Sequence, residues 1–209
     1  MLSEHPSVIN NGENNVIEIH PAVRIESTVR IQIDGNNHVL RIGENTVIRN
    51  MNIIFSGAYN VVEIGKGCNL RGAIHARQAE SKLLIGAGTT FVGAHLFAME
   101  GKSIVIGEDC MFSSGIFVRT SDEHPIYDLL GGERLNDAQD VVLGRHVWVG
   151  EGATLGKGAN IPEGCVIGAR SYVSKRLARA NSIYAGAPAR LMRESVVWDR
   201  RLKKTPLEP

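Results

Sequence analysis

A repeat of six residues governs the chain between positions 143 and 173. Every sixth residue there is a branched aliphatic one, namely Leu143, Val149, Leu155, Ile161, Ile167 and Val173. The positions four residues later are small: Val147, Ala153, Ala159, Cys165 and Ser171. Neither the 3.6-residue period of a helix nor the two-residue period of a long strand explains this spacing, whereas a short strand and a turn, repeated, do. The pattern predicts a triangular prism with three sides per coil and the aliphatic residues inside.

A looser form of the same repeat extends upstream. The strings NVIEI, NHVLRIG, NVVEIG, SKLLIG and KSIVIG contain Ile19, Ile42, Ile64, Ile85 and Ile106, which are 23, 22, 21 and 21 residues apart. A coil of about 18 residues with a few more at one corner accounts for each step. Stacked coils bury a continuous core between neighbours, which suits a chain with only 5% aromatic residues. We expect irregular coils over 1–118 and regular coils over 141–173.

Composition excludes several classes of function. A formal net charge of +1 gives no reason to expect a nucleic-acid partner. No apolar run approaches the roughly 20 residues of a membrane span, and the first residues lack the basic and apolar regions of a signal peptide. We therefore expect a cytoplasmic protein, and we interpret the basic run RRLKK, 200–204, as a solvated tail.

The three cysteines are predicted to be structural. Their number is odd and none forms a CxxC pair, so neither a disulfide framework nor a zinc knuckle is indicated. Cys68, Cys110 and Cys165 each come four residues after a repeat isoleucine, in the small inward position. As small buried hydrophobic residues they need no chemical role.

The repeat is interrupted once, by a long insertion. Phe112 and Val118 are successive repeat positions, but Leu143 follows Val118 by 25 residues, so 19 residues are added to one hexad. A long loop in a compact repeat is typically functional or disordered. This loop, 119–140, contains enough apolar residues to pack against a neighbouring subunit. Its His124 is a candidate base because imidazole titrates near neutral pH, although a histidine before proline is also a common turn residue.

The hexads from 143 to 173, the loop TSDEHPIYD, the strings GERLN and HVWVG, and the closing AGAPARL together resemble the left-handed β-helix acyltransferases. The likeness is greatest to bacterial capsule and O-antigen polysaccharide O-acetyltransferases, including those that acetylate sialic acid. It implies an all-β fold, a left-handed parallel β-helix of hexapeptide repeats forming one continuous domain. It also implies a homotrimer with active sites between subunits, acetyl-CoA as donor and a carbohydrate, a polysaccharide, as acceptor. Residues 174–209 would form a cap and tail containing a short helix that starts at Pro188.

The resemblance assigns three catalytic positions. His124 matches the loop histidine that acts as general base on the acceptor hydroxyl. Asp122 matches an acid that can hold the imidazole in the required tautomer. Trp148, in HVWVG, matches a tryptophan close to the reacting thioester; the alternative is an exposed corner residue that packs the trimer.

The resemblance also assigns residues to CoA, which in relatives lies in the groove between two prisms. The matching positions in the last coils and the cap are Glu151, Ala169, Ser174, Lys175, Arg190 and Arg193. Some relatives have a small polar residue at the position of Glu151, so the longer Glu151 side chain is expected to point away from CoA. Arg190 and Arg193 would share one face of the expected helix and meet phosphate oxygens. Alternatively, RLMRE is an ordinary capping helix with solvated charges.

Three other functions remain open at this point. N-acetylation of an amino sugar or of another small molecule uses the same fold, donor and base. A zinc enzyme of the γ-carbonic anhydrase type needs three converging histidines, and the spacing of His75, His95, His124 and His146 does not match that pattern, so no metal is expected. A non-catalytic solenoid would carry a regular array of similar outward residues, whereas the outward residues Arg145, Glu151, Lys157 and Glu163 are mixed in charge.

Overall fold

A computed structural model describes residues 7–202 and contains only strands, turns and loops over that range. The strands are β1 (Ser7–Asn11), β2 (Val16–Ile19), β3 (Arg24–Ile25), β4 (Arg30–Asn36), β5 (Val39–Ile42), β6 (Val47–Ala58), β7 (Val61–Ile64), β8 (Asn69–Ala76), β9 (Lys82–Ile85), β10 (Thr90–Phe91), β11 (Ala94–Ala98), β12 (Ser103–Ile106), β13 (Met111–Phe112), β14 (Ile116–Arg119), β15 (Val141–Leu143), β16 (Trp148–Val149), β17 (Thr154–Leu155), β18 (Asn160–Ile161), β19 (Val166–Ile167), β20 (Tyr172–Val173), β21 (Ile183–Gly186) and β22 (Ala189–Arg193). Between residues 7 and 202 there is no helix with the length and apolar character that crossing a bilayer requires.

Strands β1 to β21 stack in parallel into a solenoid of about eight turns, which confirms the predicted β-helix architecture. The first face is the seven-stranded sheet of β2, β5, β7, β9, β12, β15 and β18. The second face contains β3, the first residues of β6 and β8, β10, β13, β16, β19 and β21. The third face contains β1, β4, the last residues of β6 and β8, β11, β14, β17 and β20. We call the edges where the first and second, second and third, and third and first faces meet the first, second and third corners.

The core consists of the residues that the repeat predicts. The six aliphatic residues from Leu143 to Val173 are all 2% exposed or less, and the five small residues beside them are 1% exposed or less. Cys68, Cys110 and Cys165 are free and buried, as expected. Burial raises the pKa of the Cys110 thiol to about 11, so this side chain is an unreactive packing group at neutral pH.

The corners need glycine because adjacent coils approach closely there. A Cβ atom on Gly107 would lie 2.6 Å from the backbone nitrogen of Arg145 in the next coil. Gly158 has a φ of +78°, a left-handed conformation that residues with a side chain rarely adopt. The close approach of coils seen at Gly107 explains why glycine follows so many of the repeat aliphatics.

The insertion leaves the solenoid at the third corner. Strand β14 ends at Arg119 on the third face and β15 begins at Val141 on the first face. The intervening residues form no strand of their own, although Tyr127 and Arg134 make an isolated antiparallel bridge. The repeat resumes in register, because Leu143 pairs with Ile106 of the preceding coil.

The predicted C-terminal helix is wrong. Residues Ala189–Arg193 form strand β22, which pairs antiparallel with β21. Five residues are too few for a stable helix without a buried face, and Met192 is 66% exposed. The edge of β21 offers backbone hydrogen bonds instead, so the returning chain covers an edge that would otherwise be open.

Arg190 and Arg193 nevertheless share a face, by a different route from the one expected. Arg190 pairs with Ala185 and Arg193 pairs with Ile183, and the register shifts between Ile183 and Tyr184. Ile183 and Ala185 are two positions apart in β21, so their side chains point to the same side of the strand. Their partners Arg193 and Arg190 lie opposite them and therefore point to that side as well.

The interpretation of the basic run as a solvated tail is wrong for Arg200. Its side chain is only 27% exposed, and its Nε atom lies 2.7 Å from Asp109 Oδ1 on the first corner. The corner offers the Asp109 carboxylate and the Gly88 and Cys110 carbonyls as acceptors, and the several N–H donors of the guanidinium bind them. Lys203 and Lys204, in the same run, lie outside the described residues.

Candidate active site

The inserted loop is fastened to the third corner at its base. Arg134 donates from two nitrogens to the Glu100 carboxylate, at 2.6 and 3.0 Å. The Ser121 hydroxyl donates to the same carboxylate. These hydrogen bonds, that from Arg134 foremost, hold the pKa of Glu100 below its usual value, so the carboxylate stays ionised at neutral pH. The backbone N–H of Gln139 donates to Thr120 O at 2.9 Å and so joins the two ends of the loop.

Asn136 holds the segment that contains His124. Asn136 is buried, with 8% of its surface exposed. The amide Nδ2 donates to the His124 carbonyl at 2.9 Å and to Asp122 Oδ2 at 3.0 Å, and Oδ1 accepts from the Ile126 N–H at 2.7 Å. His124 itself is exposed. The backbone of the candidate base is therefore fixed while its imidazole faces solvent.

Asp122 is engaged by a lysine of the next coil. Lys157 Nζ lies 2.7 Å from Asp122 Oδ2 and also donates to the Asn136 carbonyl at 2.7 Å. The hydrogen bond from Lys157 is the main cause that lowers the pKa of Asp122. Among the described residues, this carboxylate accepts hydrogen bonds from Lys157 and Asn136. The role of Asp122 in orienting the imidazole of His124 stays a prediction.

The turn before His124 has an uncommon backbone conformation. Glu123 has a φ of +67°, in the left-handed region. Its N–H is bound by the Ser121 hydroxyl at 2.9 Å, and its carboxylate lies 3.3 Å from Arg77 Nη1. Non-glycine residues in this region persist where the surroundings hold them, and such residues cluster at functional sites.

The far end of the loop presents apolar side chains to solvent. Leu129 and Leu130 are 96% and 97% exposed. Asp128 shapes this end, because its carboxylate accepts from the Leu130 N–H at 2.9 Å and its N–H donates to Glu133 O at 2.8 Å. Two fully exposed adjacent leucines on an ordered turn are a feature of contact surfaces.

Trp148 lies on the side of the prism away from this loop. It is in β16 on the second face, with 36% of its surface exposed. The third corner, where the loop is fastened through Glu100 and Lys157, is opposite the second face of a triangular prism. The structure therefore does not bring His124 and Trp148 together within one chain.

Four of the six predicted CoA residues fall into two groups, and the other two belong to neither group. Lys175 and Arg190 line one pocket of about 310 Å³, beside the cap, together with Arg176. Glu151 and Ala169 instead lie at the second corner in adjacent coils, as shown by the Gly150 N–H donating to Ile167 O at 2.8 Å and the Arg170 N–H donating to Glu151 O at 2.7 Å. Ser174 follows the third face and is exposed, and Arg193 lies outside the 310 Å³ pocket.

The histidines considered for zinc do not converge. His75 and His95 lie on the third face, stacked on Phe97 and Phe117 with centroids 4.7 and 5.1 Å apart. His146 lies at the first corner, bound to Asp109. Over residues 7–202 no three histidine, cysteine or acidic side chains are grouped as metal ligands would be.

Several known proteins share this architecture. No protein-family model matches the chain. The chain is 34% identical over 191 residues to a polysialic acid O-acetyltransferase of Neisseria meningitidis, covering 91% of this chain and 88% of that protein. The crystal structure of the polysialic acid O-acetyltransferase OatWY superposes with a TM-score of 0.91 at 32% identity, over 97% of this chain and 95% of that one. The polySia-specific acetyltransferase NeuO gives a TM-score of 0.86 at 32% identity, over 96% of this chain and 91% of that one.

This chain belongs to the hexapeptide-repeat acetyltransferases. Acyl transfer is accordingly its reaction class. In this acetyltransferase, sequence reasoning missed the residues that hold the site. Asn136 was visible only as the last letter of GERLN, and Lys157 only as an outward charge of the repeat. Arg176 had a usable signal, because it adjoins Lys175 directly after the last regular coil.

Proposed function

We propose that this enzyme transfers an acetyl group from acetyl-CoA to a sugar hydroxyl of a bacterial surface polysaccharide, with polysialic acid as the first acceptor to test. The observation that carries the proposal is the geometry of the segment around His124. The Asn136 side chain binds the backbone of this segment, and the His124 imidazole is open to solvent. Support for the acceptor comes from the named activity of the meningococcal relative, which aligns with nearly the whole chain.

In this mechanism His124 removes the proton from the acceptor hydroxyl as its oxygen attacks the thioester carbonyl. A carbon–oxygen bond forms, the tetrahedral intermediate collapses, and the carbon–sulfur bond breaks. The imidazolium of His124 then returns its proton to the leaving thiolate of CoA. Asp122, which Lys157 keeps ionised, has the proposed role of holding the imidazole in the required tautomer.

We assign the active site to the junction of two chains in a homotrimer. Trp148 and the loop that carries His124 lie on opposite sides of one prism, so a site that contains both needs a second copy. The exposed Leu129 and Leu130 at the end of the loop supply the apolar surface for such a contact. Cyclic threefold symmetry would produce three equivalent sites from a single kind of interface.

The pocket formed by Lys175, Arg176 and Arg190 is the proposed site for the phosphates of CoA. Arg190→Ala is expected to raise the KM for acetyl-CoA about 10-fold with kcat nearly unchanged, because a charge-assisted contact to the nucleotide end acts equally in ground and transition states. Steady-state kinetics with varied acetyl-CoA measure this. Arg24→Ala, an exposed arginine in the first coils, is the control. An unchanged KM in the Arg190 variant would remove the phosphate role.

The proposed activity is tested by incubating the protein with radiolabelled acetyl-CoA and polysialic acid, then treating the product with mild alkali. The expected result is label in the polymer that alkali releases, since oxygen esters hydrolyse and amides do not. Alkali-stable label would instead favour amino-sugar N-acetylation. Absence of transfer to polysialic acid and to a panel of other capsule and O-antigen glycans would refute a polysaccharide acceptor.

A further inference from the structure

The last described residues fold back over the first corner of the prism. Trp198 is 8% exposed and stacks on His146, with ring centroids 3.9 Å apart and planes 8° apart. Its indole N–H donates to the His146 carbonyl at 3.0 Å, and His146 Nε2 lies 3.1 Å from the Trp198 carbonyl oxygen. One stacked pair of rings and two hydrogen bonds thus join residues 52 positions apart.

Arg200 fastens the same segment to neighbouring coils. Its Nη1 donates to Thr90 Oγ1 at 2.8 Å, and its Nη2 donates to the carbonyls of Cys110 at 2.8 Å and Gly88 at 3.3 Å. Its Nε donates to Asp109 Oδ1 at 2.7 Å. All three guanidinium nitrogens are therefore used on the corner, which is a built attachment rather than a surface ion pair.

Asp109 connects the two attachments. One carboxylate oxygen lies 2.6 Å from His146 Nδ1 and the other accepts from Arg200. Burial raises the pKa of Asp109, but the hydrogen bonds from His146 and Arg200 outweigh it and leave the pKa below its usual value. The carboxylate is accordingly ionised at neutral pH. We call Trp198 and Arg200, with their partners Asp109 and His146, the clasp.

The clasp lies against Trp148. Trp148 follows His146 by two residues, and its ring centroid is 6.1 Å from that of Trp198, with the planes inclined by 49°. An outward tryptophan on an open sheet face has several rotamers available, and a packed aromatic neighbour on one side removes some of them. The rest of the indole remains open, since Trp148 is 36% exposed.

We propose that Trp198 is a positioning residue for acetyl transfer, which fixes the indole of Trp148 for its contact with the thioester. The inference rests on the proposed function, which includes Trp148 in the active site, and on the resemblance, which implies that this tryptophan lies close to the reacting thioester. The C-terminal segment is then part of the donor site at both of its ends. Strand β22 contributes Arg190 to the phosphate pocket, and the clasp fixes the position of the Trp148 indole.

The chain contains only two tryptophans, so replacing Trp198 leaves Trp148 as the sole indole fluorophore. Trp198→Phe keeps a ring on His146 and against Trp148, whereas Trp198→Ala removes it. We expect kcat of the Phe variant to stay within about threefold of wild type and kcat of the Ala variant to fall about 10-fold, with the KM for acetyl-CoA changed less than about threefold in both. Quenching of Trp148 emission by acrylamide should be about twice as efficient in the Ala variant as in the Phe variant.

Val197→Ala, at an exposed neighbouring position, is the matched control and should keep wild-type kcat. If Trp198→Ala does not fold, a double variant, Arg200→Ala together with Trp198→Phe, opens the clasp and keeps both rings. Compared with Trp198→Phe alone, its kcat should fall about 10-fold and acrylamide should quench Trp148 about twice as efficiently. Wild-type kcat in the variants that open the clasp, or identical quenching of Trp148 with the clasp open and closed, would overturn the proposal. If the wild-type protein transfers no acetyl group, the proposed function fails by itself, while the quenching comparison still decides whether the clasp holds Trp148.

Discussion

Replacing His124 with alanine is expected to lower kcat about 100-fold or more and to leave the KM for acetyl-CoA nearly unchanged. The imidazole is exposed and the contacts that fix this segment use the His124 backbone carbonyl, so removing the ring should leave the loop in place. The loss would therefore report proton transfer and not a displaced loop. Steady-state kinetics with a saturating glycan acceptor provide the measurement.

The matched control is His20→Ala, which removes an exposed histidine from the first coils. It should keep wild-type kcat. A second control is the thermal unfolding midpoint, which should be the same for the His124 variant and the wild type. Wild-type turnover in His124→Ala would contradict the assignment of this residue as the base.

The fold was predictable because the repeat places each core residue independently of distant contacts. Ile161 and Cys165, for example, follow from the six-residue register alone, and both are buried. The insertion was predictable for the same reason, since Val118 and Leu143 remain in register on either side of it. Local periodicity determines the solenoid because each coil contacts mainly its neighbours.

The arrangement of the site was less accessible because its contacts join residues far apart in the chain. Asn136 bonds to the His124 carbonyl from 12 positions away, and Lys157 reaches Asp122 from the next coil. Nothing in the local pattern around Trp198 announces its stacking on His146. The Ala189–Arg193 strand was mistaken for a helix because its arginine spacing also fits a strand that contains a bulge.

His124→Ala and Trp148→Ala each remove one residue of the proposed site, so each variant alone should have low turnover. Mixing the two variants is expected to restore activity if the active site is shared between chains. His124→Ala chains supply Trp148, and Trp148→Ala chains supply His124. In a cyclic trimer that contains both kinds of chain, one of the three junctions joins an intact His124 to an intact Trp148, whichever kind is in excess. We therefore expect mixed trimers to reach about one third of wild-type turnover.

The measurement uses coexpression of the two variants with different affinity tags and purification on both tags in sequence, so that only mixed assemblies remain. Turnover is then compared with that of each variant alone and of wild type carrying both tags. Recovery to about one third of the wild-type turnover would support a site built from His124 of one chain and Trp148 of its neighbour. Turnover no higher than the average of the two separate variants would contradict it.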